Sequence, residues 1–176
     1  MFEKRLQDDY RDRCDQIEMS LREAPDDELL DESKHAALIQ RACEPFLYRD
    51  FVTFGKMEID GPAEVGGQTL MTVKVPFQGS PIYFSLWHAR DMSLGFDVAN
   101  GFVSKIYIFD DHFEKKAKND VDHLKKLVGE TIDMAKTMNN NFAGEIKNRL
   151  VTIYGARSRQ RQQLQKAIAI KRRLEE

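Results

Sequence analysis

The chain has 176 residues, of which 41% are hydrophobic and 32% charged, values typical of one soluble, helix-rich domain with a buried core. No apolar run approaches the roughly 18–20 residues that span a bilayer, and the charged N-terminus differs from a secretory signal. The net charge is only −2, but residues 1–50 carry eight basic and fourteen acidic side chains, whereas residues 143–176 carry nine and three. This asymmetry predicts that the two ends pack against each other, within one molecule or between two, or that the basic end contacts nucleic acid.

Two helices are predicted before residue 45. The first has an apolar face at helical spacing and ends before Pro25, and the second runs from Asp26 to about Glu44. The only two cysteines, Cys14 and Cys43, have no zinc-ligand spacing around them. We therefore expect reduced, partly buried thiols and a cytoplasmic protein without a metal or cofactor. The apolar face of the first helix comprises Phe2, Leu6, Tyr10, Cys14, Ile17 and Leu21.

From about Phe46 to Phe109 the chain is rich in Phe, Val, Ile, Tyr and Thr and is interrupted by Gly and Pro, a pattern typical of short strands. Met71, Val73 and Val75 alternate with polar residues, which predicts one buried and one solvent-facing side. No helical crossover separates the strands, so an antiparallel meander is predicted. Its strands are 51–59, 69–75, 82–87, 93–98 and 102–109, with turns at 60–62, 66–67, 76–81 and 99–101.

A long helical region follows, with Asp110 and Asp111 as its N-terminal caps. Its apolar side chains recur in eleven steps over 40 residues, close to the 3.6-residue period of an α-helix. The sequence leaves open whether this helix is continuous or bends near Asn139–Asn141. The stripe comprises Phe113, Ala117, Val121, Leu124, Val128, Ile132, Ala135, Met138, Phe142, Ile146, Leu150 and Ile153.

Together these elements predict one α+β domain: a helical region over 1–45, an antiparallel sheet over 46–109, and a long helix or helical hairpin over 110–174. A continuous helix over 111–154 would be roughly 66 Å long, more than the diameter of such a domain. Its stripe would then need a partner, and a homo-oligomer is expected. The predicted oligomer interface comprises Val128, Ile132, Met138, Phe142, Ile146 and Leu150.

No arrangement of residues predicts catalysis. His112 and His123 are about three helical turns apart, too far to bind one metal ion together, and a helix cap explains Asp110 and Asp111 beside His112. The glycines between 61 and 67 lack the lysine and hydroxyl residue of a phosphate-binding loop. The aromatic side chains Tyr83, Phe84 and Trp87, with His88 beside them, leave a small-ligand sensor as one alternative, although such residues usually pack across strands.

The C-terminal end of the long helix carries the chain's basic patch. A solvated helix end explains these residues, and a nucleic-acid-binding module is the alternative interpretation. The candidate nucleic-acid-binding residues are Arg157, Arg159, Arg161, Lys166, Lys171, Arg172 and Arg173.

The run Val73–Phe84, VKVPFQGSPIYF, resembles a "VPFxGdpxlF" signature in the N-terminal region of bacterial defence or restriction-type proteins. In that group a hairpin, a long helix with an Asn-Phe step, an "ArxRrxrL" helix and a final basic run follow. The similarity covers about residues 70–173. The counterparts here are the hairpin at Asn100-Gly101, Asn141-Phe142, residues 156–164 and residues 170–173.

The resemblance implies a partner or regulatory domain that precedes a restriction-endonuclease-like domain. That fold uses a Glu-x-Lys or Asp-x-Lys pair on a strand for metal-dependent cleavage, whereas Glu145-Ile146-Lys147 lies on the predicted helix. We therefore expect a non-catalytic oligomerisation or regulatory domain of a bacterial nuclease-type defence protein, with no membrane partner. Nucleic-acid binding and ligand sensing remain the alternatives.

Overall fold

Helices and strands follow one another in the predicted order in the computed structural model, which describes residues 4–87, 94–99 and 101–175. The fold is α+β, with N-terminal helices, a five-stranded antiparallel sheet and a long C-terminal helix, as predicted. The chain divides into two compact units, one formed by residues 1–10 and 48–137 and the other by residues 11–47 and 138–176.

The first unit contains the sheet, whose strands run in the order β2-β4-β7-β6, with β3 also pairing with β4. It is antiparallel, as predicted, but it is not a simple meander, because β4 pairs with β7 instead of with the next segment along the chain. A separate short pair is parallel and joins β1 to β5. The strands are β1 (Lys4–Arg5), β2 (Thr53–Phe54), β3 (Glu58–Val65), β4 (Gln68–Gln78), β5 (Leu86–Trp87), β6 (Asp97–Ala99) and β7 (Phe102–Ile108).

One face of the sheet forms the core of the first unit. Val73 and Val75 are fully buried on β4, and Val75 lies opposite the equally buried Val103 of β7. The predicted alternation on β4 is therefore confirmed at Val73 and Val75, whereas Met71 is only half-buried, like its neighbour Thr72. Rings also pack at 5.8 Å between Tyr107 of β7 and Phe113, the first residue of the long helix α4 (Phe113–Glu175).

Three predicted strands differ from the structure. Of the strand predicted over 93–98, residue 93 lies outside the described residues, residues 94–96 are not in a strand, and β6 begins only at Asp97. Residues 81–84 form a 3₁₀ turn, because Ser80 accepts a hydrogen bond from the Ile82 amide and Pro81 favours the first helical position. Strand 51–59 is interrupted after Phe54, and β3 continues through Gly61 and Pro62, where a turn was predicted. A register irregularity between Asp60 and Ala63 accommodates these two residues in a strand with one paired edge.

The second unit is helical and contains most of α1 (Leu6–Arg22), α2 (Asp26–Leu29), α3 (His35–Cys43) and the C-terminal part of α4. The predicted helix over 26–44 is broken, because the Asp31 carboxylate accepts hydrogen bonds from the amide and hydroxyl of Ser33. This local bonding starts a new 3₁₀ turn, Glu32–Lys34, that leads into α3.

Helix α4 runs for 63 residues and continues through Asn139–Asn141. Its start matches the prediction, since Asp110 accepts a hydrogen bond from the His112 amide at 2.9 Å just before the helix begins. The helix also continues through Gly129, Gly144 and Gly155, and a β-carbon added at any of these glycines would meet no other atom within 4 Å.

The apolar stripe of α4 is buried within the chain. Eleven of its twelve predicted members are buried, and Met138 is half-buried. Of the predicted oligomer interface, Val128 and Ile132 are buried in the first unit, and Phe142, Ile146 and Leu150 in the second. The chain itself therefore occupies this face, which corrects the expectation that it lies open to a second protomer.

Candidate interaction surfaces of the helical unit

Acidic and basic side chains meet inside the second unit. Arg149 of α4 donates hydrogen bonds to Asp15 at 2.6 Å and Glu18 at 2.9 Å on α1, and to Glu145 at 3.2 Å on its own helix. Hydrogen bonds from Arg22 and Arg149 lower the pKa of the Glu18 carboxyl, although burial opposes this shift. These contacts hold the two helices together, so part of the charge asymmetry of the sequence is satisfied within one molecule.

Arg157 belongs to the same arrangement. Its guanidinium donates to the Asp26 carboxylate at 3.0 Å and to the Arg22 carbonyl at 2.8 Å. Arg157, a candidate residue in the alternative nucleic-acid-binding interpretation, therefore makes a charged contact within the helical unit.

The other six predicted nucleic-acid-binding residues lie on the last part of α4. We name residues 159–175 the C-terminal segment; every residue in it is exposed. The segment carries six basic side chains and one acidic one, so its net charge is +5. Its basic residues are Arg159, Arg161, Lys166, Lys171, Arg172 and Arg173.

The C-terminal segment is amphipathic as well as basic. With 3.6 residues per turn, Leu164, Ala167, Ile168, Ile170 and Leu174 fall within an arc of roughly 160°. Five of the six basic side chains fill the rest of the circumference, and Lys171 lies within the apolar arc. Leu164 is 60% exposed and Leu174 81%. The apolar stripe predicted from the sequence ends at Ile153. The four-residue spacing of Leu164 and Ile168 is a local signal that could have predicted this second apolar face.

A groove lies between α3 and α4 in the same unit, with a volume of about 640 Å³. Five of its nine lining residues are aliphatic, and Val151 on α4 is 61% exposed. Small side chains at Ala36 and Ala143 leave room for another chain to approach closely. We name it the α3–α4 groove; it is lined by Glu32, His35, Ala36, Ile39, Ala143, Lys147, Leu150, Val151 and Tyr154.

Polar groups occupy the edge of this groove. A hydrogen bond to the Glu32 carboxylate raises the pKa of the Tyr154 hydroxyl. His35 contacts the Tyr154 ring edge-on at 5.4 Å, and its Nε2 lies 2.8 Å from the Leu29 carbonyl oxygen. Because that oxygen only accepts hydrogen bonds, Nε2 is the donor in this contact. The edge therefore carries one carboxylate, one imidazole ring and the Lys147 ammonium group.

The aromatic residues considered for ligand binding are core residues where they are described. Tyr83 is fully buried and donates a hydrogen bond to the Arg49 carbonyl at 2.8 Å. Phe84 packs between Phe54 at 5.9 Å and Phe77 at 4.7 Å. The side chain of Trp87 and all of His88 lie outside the described residues.

Within residues 4–87, 94–99 and 101–175, no group of three or more His, Cys, Asp or Glu side chains has the geometry to hold a metal ion. Glu145 and Lys147 both lie on α4, as predicted, and Glu145 accepts a hydrogen bond from Arg149. No helix in the described part of the chain is both long enough and apolar enough to cross a bilayer.

Comparisons with known proteins find no match: no family model, no curated protein and no solved structure is similar to this chain.

Proposed function

We propose that this chain is a non-catalytic module that joins copies of itself through the C-terminal segment of α4. The observation that carries the proposal is the apolar arc of Leu164, Ile168, Ile170 and Leu174, which is exposed to solvent throughout. The segment continues the packed part of α4, and most helical stability in proteins comes from packing of an apolar face. A second protein surface supplies that packing.

Electrostatic repulsion disfavours a dimer in which two C-terminal segments lie side by side. Each carries a net charge of +5, and like charges on adjacent helices repel. The segment therefore favours an acidic surface. Residues 11–47 of the second unit, with ten acidic and five basic side chains, provide such a surface on a second copy.

The proposal is tested by sedimentation velocity from about 1 to 100 μM, a range that covers weak and moderate association. The wild-type chain is expected to form a dimer or larger species as its concentration rises. The double variant Leu164→Gln, Ile168→Gln changes no charge and keeps good helix formers, and it is expected to remain monomeric.

Two control variants make the result specific. Gln162→Ala with Gln165→Ala alters the polar side of the same helix and should leave association unchanged. Ile106→Thr with Ile108→Thr alters the exposed apolar residues on β7 in the first unit and should also leave it unchanged. A monomeric wild-type chain at tens of micromolar, or association abolished only by the β7 variant, would contradict the proposal.

Nucleic-acid binding is the second candidate function, because five basic side chains share the polar side of the exposed segment. Binding through these residues releases counterions, so affinity for a labelled duplex should fall steeply as salt rises. Arg161 and Arg172 lie on the same side of the helix, and changing both to Gln should reduce the salt dependence. Absent or salt-insensitive binding to DNA and RNA removes this candidate.

We further propose a reducing, cytoplasmic setting. The support is that the Cys14 and Cys43 side chains are both buried thiols. Burial also raises the pKa of the Cys43 thiol, which lowers its reactivity.

The resemblance to bacterial defence proteins extends this proposal: the module would bring together nuclease domains that follow it. This extension rests on the motifs over residues 70–173 alone. It is tested by reading the open reading frame downstream of residue 176. A frame that encodes a restriction-endonuclease-like domain supports the extension, and a stop codon directly after residue 176 removes it.

A further inference from the structure

We propose that the α3–α4 groove of one copy receives the C-terminal segment of a second copy. This inference rests on the proposed self-association and names its receiving surface. The groove and the segment both belong to the second compact unit, so each copy carries one donor and one acceptor. Reciprocal exchange of the two segments closes a symmetric dimer.

The first argument is the match between apolar surfaces. Laying an amphipathic helix into an apolar groove is a common mode of peptide recognition, with anchors at i, i+3, i+4 and i+7. The segment presents Leu164, Ala167 and Ile168 at such spacing, and Leu174 follows further along the same face. The groove presents the exposed side chains of Ala36, Ala143 and Val151, with the buried Ile39 behind them.

The second argument is charge complementarity. Residues 26–41, which contain α2 and most of α3, carry five acidic and two basic side chains, a net charge of −3. Asp27 in this stretch has a side chain that is 79% exposed. The same stretch already accepts a basic residue from α4, since Asp26 binds Arg157 at 3.0 Å. A second copy's segment, with its net charge of +5, extends this type of contact.

Substitution of Lys147 can distinguish a basic protein segment from an anionic small molecule as the occupant of the groove. It is a positive charge that lines the groove, so it opposes a basic segment and attracts an anionic small molecule. Lys147→Glu is therefore expected to strengthen self-association by about tenfold, roughly the effect of one favourable charge contact. Lys147→Gln is the matched control and should have a smaller effect in the same direction. Weaker association in Lys147→Glu would overturn this assignment.

A disulfide trap tests the contact directly. One preparation carries Val151→Cys and the other Ile168→Cys, and the two are mixed under mild oxidation. The expected product is a cross-linked heterodimer on a non-reducing gel. Wild-type chain is the background control, because Cys14 and Cys43 are buried. A preparation with Gln162→Cys in place of Ile168→Cys is the geometric control, since Gln162 lies on the opposite side of the segment.

The outcomes separate this inference from the proposed function. Self-association that depends on Leu164 and Ile168 but gives no trap with residue 151 overturns the groove and leaves the function standing. A trap formed equally well from position 162 also overturns it, because no defined face would then enter the groove. Absence of any self-association overturns the function itself, and the inference with it.

Discussion

A single carboxylate organises the polar contacts beside the sheet. Asp120 of α4 accepts hydrogen bonds from Lys105 at 2.7 Å and from Tyr107 at 3.0 Å on the same oxygen. Lys105 also donates to the Leu94 carbonyl at 2.7 Å. Burial, with the nearby Asp120 charge, raises the pKa of the Tyr107 hydroxyl. These bonds connect β7 to α4 inside the first unit.

Asp120→Asn is expected to destabilise the protein by about 1–3 kcal/mol, because Lys105 then loses the partner of its largely buried charge. Urea unfolding monitored by circular dichroism measures the change. Asp122→Asn, an exposed position two residues further along α4, is the control and should shift stability by at most about 0.5 kcal/mol. Equal effects of the two variants would show that Asp120 has no special role.

Stability should also fall in acid. Hydrogen bonds from Arg22 to Glu18 and from Arg41 to Glu28 hold the pKa of each carboxyl below its usual 4.5. A carboxyl with a lowered pKa in the folded state contributes stability that is complete above its unfolded value and is lost as pH falls through the folded value. Thermal melts should therefore show a falling midpoint as pH drops below about 5. Glu18→Gln should reduce this acid dependence, and an unchanged dependence would contradict the assignment.

At the scale of elements, α4 shows how burial overrides local propensity. Gly129, Gly144 and Gly155 lie in its interior, where glycine disfavours helix. The helix is nevertheless continuous, because the apolar stripe before and after each glycine is buried. A β-carbon at any of the three would meet nothing within 4 Å. Each glycine therefore leaves the helix less stable than it could be.

Gly144→Ala is expected to stabilise the protein by up to about 1 kcal/mol, because alanine loses less backbone entropy in a helix. The contrasting variant is Gly79→Ala. Gly79 has φ +106°, and a β-carbon there would lie 2.6 Å from the carbonyl oxygens of Asp50 and Phe51. That substitution should destabilise the protein by more than about 2 kcal/mol. Differential scanning calorimetry gives both values, and a lowered midpoint for Gly144→Ala would contradict the first.

At the scale of the whole molecule, charge is divided between the acidic N-terminal 50 residues and the basic end of the chain. Within the second unit, Arg149 and Arg157 satisfy part of this division. The C-terminal segment keeps the remaining positive charge in solvent.

Self-association through charge complementarity should weaken as salt rises, because mobile ions screen exposed charges beyond about 10 Å at 0.1 M. Sedimentation in about 0.05 M and 0.5 M sodium chloride tests this. The dimer should dissociate more readily in high salt. Association that strengthens with salt would instead indicate a contact dominated by apolar burial.

Several elements could be predicted from local patterns because their signals are local. The strands β4 and β7, the Gly66-Gly67 turn and the Asp110 cap follow from alternation, turn chemistry and capping. The 3₁₀ turn at 81–84 was mistaken for a strand, because Tyr83 and Phe84 are both buried and hide any periodicity. The break at Asp31 depends on one side-chain hydrogen bond that composition does not reveal.

The sequence by itself determined the fold class and the helical stripe, because secondary structure follows from the spacing of apolar side chains along the chain. Tertiary structure alone decided which stripe is covered. The stripe ending at Ile153 is buried, whereas Leu164 to Leu174 stay exposed. Burial of a helix face depends on which residues distant in sequence pack against it. The spacing of apolar residues along one helix does not identify those residues.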